Sequence, residues 1–97
     1  MRVISQDGTI DVPYDYFSLS VASGKYEDVE VAYIYCHNLS SPNGTKLAEY
    51  STKAKALKTM EMLREAFFEN KHEETYRDGI YYYSPCFQLP QDDEIEV

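Results

Sequence analysis

The chain has no tryptophan, only two histidines, two cysteines and four glycines, and nine basic residues against seventeen acidic ones. Each shortage removes a class of function. Cys36 and Cys86 are too few for a disulfide framework or a cysteine-rich metal site. His37 and His72 have no ligand spacing to a second soft residue. Cys36 and His37 are neighbours in sequence, so on a strand they point to opposite faces and cannot form a local nucleophile–base pair. The stretch from Ser41 to Lys46 has glycine and lysine but lacks the leading glycine and the Gly-Lys-Ser/Thr end of a phosphate-cradling loop. Asp92, Asp93, Glu94 and Glu96 lack the glycine turn that shapes a calcium loop. These absences lead to the expectation of a protein that is not an enzyme, with no catalytic residues, no metal and no cofactor.

Long apolar runs are also missing. Nothing approaches the ~18 residues of a membrane span, and the opening MRVISQDG has no apolar signal-peptide segment. The expectation is a cytoplasmic protein without a membrane partner. The net charge is −8, unevenly spread: −4 over residues 1–50, +2 over 51–71 and −6 over 72–97. An acidic chain repels nucleic-acid phosphates. Stacking of bases on sheet tyrosines, helped by Lys53, Lys55, Lys58 and Arg64, therefore ranks third among the functional readings.

What is abundant is tyrosine, ten residues of 97. A tyrosine combines an apolar ring with a hydroxyl that needs a partner, which suits half-exposed strands and interfaces. The strand signals are frequent. Val3 with Ser5 and Ile10 with Val12 alternate around Asp7-Gly8, which reads as a hairpin with a two-residue type I′ turn. Phe17, Leu19 and Val21 share a face, and Ser23-Gly24-Lys25 reads as the next turn. On VEVAYIYCH, Val29, Val31, Tyr33 and Tyr35 share one face and Ala32, Ile34 and Cys36 the other. NLSSPNGT reads as a loop, KLAEY as a short strand, IYYYS as a strand and CFQL as a returning one. Between them, Ala56, Met60, Leu63 and Phe67 recur at helical spacing, widened by Leu57 and Phe68, with Ser51 or Thr52 as cap.

The expected fold is a single α+β domain over residues 1–97. An antiparallel sheet of about five or six strands packs on one long amphipathic helix, about 52–70, and a C-terminal strand returns to the sheet. Residues 91–97 are expected to form a mobile acidic tail. The helix covers one sheet face, and the tyrosine-rich face is left for a second subunit or another partner. The candidate binding residues are Tyr33, Tyr35, Tyr81, Tyr82, Tyr83 and Arg77. They support two leading functions. One is binding of a protein partner through tyrosines and acidic flanks. The other is a homo-oligomeric pocket for a nucleotide, with aromatic faces stacking the base and Arg2, Arg64 or Arg77 holding phosphate. A homodimer is expected in either case.

Three stretches, MRVISQDGTIDVPYDYF, LAEYSTKAKALKTMEMLREAF and FQLPQDDEIEV, together resemble a set of small uncharacterised proteins encoded in phages, prophages and mobile elements of gut Firmicutes. The resemblance covers about half the chain. It implies a cytosolic bacterial setting and an accessory role, and leaves two classes open: an anti-defence or regulatory binder that occludes a host protein, with acidic residues standing in for phosphates, and an oligomeric sponge for a nucleotide signal. It carries no activity, and so no functional residues.

Overall fold

The computed structural model describes residues 1–14, 17–38, 41–73, 76–77, 80–81 and 86–96, of which 41–43, 70–73, 76–77 and 80–81 are described by their backbone alone. Strand β1 (Arg2–Ile4) pairs antiparallel with β2 (Asp11–Pro13). The long strands β3 (Ser18–Tyr26), β4 (Val29–Asn38) and β5 (Ser41–Tyr50) form an antiparallel sheet in the order β3-β4-β5. Helix α1 (Lys53–Glu73) follows, then the two-residue strands β6 (Tyr76–Arg77) and β7 (Ile80–Tyr81), and finally β8 (Cys86–Gln88) and a 3₁₀ turn at Asp92–Glu94. This is an α+β fold with an antiparallel sheet and one long helix, as expected. The strands are divided, however. β8 pairs parallel with β1 to give a second sheet, β2-β1-β8, and β6 and β7 form a ribbon of their own. Among the described residues no helix is long and apolar enough to cross a membrane.

The first hairpin forms, but not on a two-residue turn. Gly8 alone takes positive φ, +79°. The loop is instead organised by Asp7, whose carboxylate accepts from the Thr9 hydroxyl and the Ser5 hydroxyl at 2.7 Å and from the Thr9 amide at 3.0 Å. Those donors favour the charged form and hold its pKa at about 2. The two-residue turn lies further on. Tyr26 pairs with Val29, and between them Glu27 and Asp28 both have positive φ, 51° and 65°, the type I′ pattern without its usual glycine. Ser23 and Gly24, expected to turn, run straight through β3.

β5 is longer than KLAEY, since Pro42 and Gly44 fall inside it. Proline is tolerated there because β5 is an edge of its sheet. Two register shifts adjust its pairing with β4. One leaves Leu47 as an extra residue between the Ala48 and Lys46 pairs, and Leu47 and Ala48 are then both buried despite being consecutive. A regular strand would have turned one of them outward.

Ala32, Ile34 and Cys36 line the buried face of β4, and α1 packs over that face. Thr52 caps the helix, accepting from the Lys55 amide through its hydroxyl at 3.1 Å. The helix has no acidic residue of its own in the first turn. Glu30 of β4 supplies one, accepting from the Lys53 amide at 2.8 Å. The buried stripe is Ala56, Thr59 and Leu63, with Met60 and Phe67 half-buried. Thr59 enters it because its hydroxyl donates to the Lys55 carbonyl. Leu57 and Phe68, expected to widen the stripe, are 48% and 65% exposed. Phe67 stacks on Tyr14 with ring centroids 4.6 Å apart.

CFQL docks as a strand, and Leu89 extends its pairing by donating its amide to the Ile4 carbonyl at 2.9 Å. The tail expected to be mobile, 91–97, is seated instead over residues 91–96. Ile95 is 5% exposed and belongs to the core cluster with Tyr50 and Leu63. Asp92 accepts from the Ser51 amide and hydroxyl at 2.8 and 3.0 Å and from Lys55, and Gln91 donates to the Gln6 carbonyl. The physical reason is that Asp92 meets the Ser51 amide and hydroxyl, just ahead of the Thr52 cap, and the Lys55 ammonium in the first turn of α1. Gln6 completes the junction. Its side-chain amide accepts from the Glu49 amide and donates to the Glu49 and Pro90 carbonyls, taking the place of a strand partner for β5.

Candidate functional site

The sheet β3-β4-β5 has one face under α1 and one outer face. On the outer face, Tyr33, Tyr35 and His37 follow each other along β4 at alternate positions. The Tyr33 and Tyr35 ring centroids are 5.9 Å apart, and those of Tyr35 and His37 are 6.3 Å apart. All three are half-buried although the neighbours on β3 are small: Ser20 pairs with Tyr35 and Ala22 with Tyr33. The rings therefore form a ridge between low flanks. Lys46 of β5 lies over the Tyr33 ring, 5.4 Å from its centroid. The His37 Nε2 is 2.7 Å from the Ser20 hydroxyl. This contact ties β3 to β4 across the open face of the sheet. Cys36, one residue away, faces the helix, and burial raises its pKa. Cys36 and Cys86 are both free thiols.

The ridge leads toward a notch. β5 ends at Tyr50, opposite Ala32, while β3 and β4 run on to their turn at Glu27-Asp28. Among the described residues, Val29, Glu30 and Val31 thus have β3 on one side and no strand on the other. The space left beside them is a concavity of about 550 Å³. Its apolar wall is Tyr26, Val29, Val31 and Tyr33, and Tyr26 and Val29 are 73% and 66% exposed. Its charged rim is Glu27, Glu30, Glu49 and Asp92. Glu30 and Asp92 are committed to the start of the helix, and the Ser51 amide first of all holds the Asp92 carboxyl below its usual pKa. No salt bridge among the described residues engages Glu27 or Glu49.

Of the residues singled out in the sequence, Tyr33 and Tyr35 are brought together. Arg77 and Tyr81 lie on the separate β6-β7 ribbon, where Arg77 pairs with Ile80 and Tyr76 with Tyr81, so neither is a strand neighbour of Tyr33 or Tyr35. Tyr82 and Tyr83 lie outside the described residues. Tyr26, Glu27, Val29, Val31 and Glu49 were not singled out. The signal for them was present as Tyr26-Glu27-Asp28-Val29, two polar residues between two strand formers, but no glycine marked the turn. Among the described residues no group of three histidine, cysteine or acidic side chains is placed to hold a metal ion.

The strained turn yields a testable consequence. A left-handed conformation costs most residues with a side chain roughly 1–2 kcal/mol, whereas glycine adopts it freely and asparagine and aspartate tolerate it, so the strain lies chiefly at Glu27. Glu27→Asn with Asp28→Gly should therefore stabilise the protein by about 1 kcal/mol, some of the relief being offset by the freedom glycine adds to the unfolded chain. Thermal unfolding followed by circular dichroism would show this as a rise of about 4–8 °C. Unchanged or lower stability would mean that the turn is not strained.

No family model, curated protein or solved structure matches the chain.

Proposed function

We propose that this is a non-enzymatic binding protein whose notch takes an extended, basic segment of a partner protein. The observation that carries the reading is a coincidence in one place. An unpaired stretch of strand edge at Val29–Val31, an exposed apolar wall and two carboxylates without a salt bridge all border the same concavity. An unpaired edge supplies backbone donors and acceptors to an incoming strand, and the side chains beside it supply specificity. The rim selects positive charge. The turn points the same way, since Glu27 holds a costly conformation that glycine would relieve, and strain of this kind concentrates at functional positions.

In the setting that the sequence resemblance implies, this is a cytoplasmic accessory protein that occludes a host or phage protein, with Glu27, Asp28 and Glu49 standing where phosphates would. The alternative, a nucleotide held by tyrosines, draws on Tyr33, Tyr35 and Lys46. It is disfavoured because the concavity next to Tyr33 is ringed by carboxylates that repel phosphate.

Two strand-forming peptides discriminate these readings, one alternating valine with arginine and one alternating valine with glutamate. The first should shift and protect the amide of Glu30, the residue of this stretch whose N–H and C=O point away from β3, and Glu27→Lys with Glu49→Lys should weaken its binding at least tenfold. The second should not bind. Equal affinity for both peptides, or a nucleotide released when protein purified from bacteria is heat-denatured, would sink the proposal.

A further inference from the structure

We infer that the outer edge of β3 pairs antiparallel with the same edge of a second copy, joining two three-stranded sheets into one of six strands. Among the described residues β3 pairs with β4 on one side and with nothing on the other. The free edge runs the full length of Ser18–Tyr26. Exposed edges are normally blunted by proline, by inward or clustered charge, by bulges or by shortness. β3 has little of this: it is nine residues long, contains no proline, shows no register shift in its pairing with β4, and carries one charge, Lys25, one position from its end.

The occupant is a second copy because the edge is complementary to itself. One face of β3 carries Ser18, Ser20, Ala22 and Gly24, small enough for two strands to meet without collision, and Tyr26 at its end falls opposite the small Ser18 in a pair centred on Ala22. The other carries Leu19 and Val21, which are half-buried and gain cover from a second pair. Charge decides the orientation. In a protein of net charge −8, β3 carries +1, so its edge does not set acid against acid. An antiparallel pair centred on Ala22 sets Lys25 opposite Leu19 and separates the two lysines by six residues, about 20 Å, well beyond the screening length at physiological salt. A parallel pair would place Lys25 against Lys25. The notch lies on the far side of β4 from this edge, so the dimer leaves it open and does not depend on the proposed partner.

Sedimentation of the full chain tests the inference. A dimer is expected at high micromolar concentration. Ala22→Lys, on an exposed position, should raise the dissociation constant at least tenfold without lowering the melting temperature. In a Cys86→Ser background, Ala22→Cys should form a covalent dimer on mild oxidation, because opposed Cα atoms in an antiparallel pair lie within disulfide reach. A wild-type monomer would overturn the inference. So would a dimer that survives Ala22→Lys and fails to cross-link through Ala22→Cys, since that dimer must use another surface.

Discussion

Truncating the chain after Pro90 should lower its stability by about 2–4 kcal/mol, although the residues removed are mostly charged. Burying an isoleucine contributes roughly 1.5–3 kcal/mol, and Ile95 is 5% exposed and a member of the core cluster. Asp92 adds its bonds to the Ser51 amide and hydroxyl and to Lys55. The Lys55 ion pair is partly exposed and contributes well under 1 kcal/mol. The bonds to Ser51 are exposed, so water can replace Asp92 there and they add a modest amount. For a domain of this size the sum corresponds to a fall in melting temperature on the order of 10–20 °C. Ile95→Ala should reproduce most of it. Asp92→Asn should reproduce a smaller part, with a pH signature. Its folded-state pKa lies below the ordinary value, chiefly through the Ser51 amide. Its contribution is therefore complete above the unfolded value of about 4 and is lost as pH falls through the folded one. The melting temperatures of Asp92→Asn and the parent chain should converge below about pH 4. Full stability after truncation would show that the seated tail carries no weight.

The same residues show what the sequence made legible. Ile95 and Val97 were the only apolar residues in a run of acids, and periodicity cannot distinguish one buried isoleucine from one exposed isoleucine. Its burial follows from where Tyr50 and the start of α1 stand, which is tertiary information. The helix was legible because Ala56 and Leu63 repeat on one face and Thr52 precedes them. Leu57 and Phe68 were misplaced because a stripe widens only as far as the sheet beneath it extends. β4 was legible, both faces included. The parallel partnership of β1 and β8 was not, because pairing between residues 2 and 86 leaves no local mark. At the candidate site, Tyr33 and Tyr35 could be read from alternation alone. The notch could not, since it exists only because β5 stops before β3 and β4 do, and strand ends depend on register.

Register also makes Gly44 the most sensitive glycine among the described residues. Gly44→Ala should cost about 2–3 kcal/mol, whereas Gly24→Ala should be neutral or slightly stabilising. Both glycines lie within strands. Gly44 has φ +83°, and a Cβ there would fall 2.6 Å from Cε1 and 2.7 Å from Nδ1 of His37, and 3.3 Å from the Cys36 carbonyl oxygen. The backbone conformation alone costs an L-residue about 1–2 kcal/mol. The ring must then move away as well, and its 2.7 Å contact with Ser20 goes with it. A Cβ on Gly24 would meet nothing within 4 Å, and its φ is not positive, so alanine there only removes freedom from the unfolded chain. Denaturant unfolding of the two variants measures the difference. The His37 ring resonances should shift in Gly44→Ala and not in Gly24→Ala. Binding at the notch should survive Gly44→Ala under native conditions, because His37 and Val31 are six residues apart along β4, about 20 Å. Equal stability of the two variants would mean that β5 does not cross His37 at this register. In that case the ridge from Tyr33 to His37 would lack the backbone that now holds its far end in place.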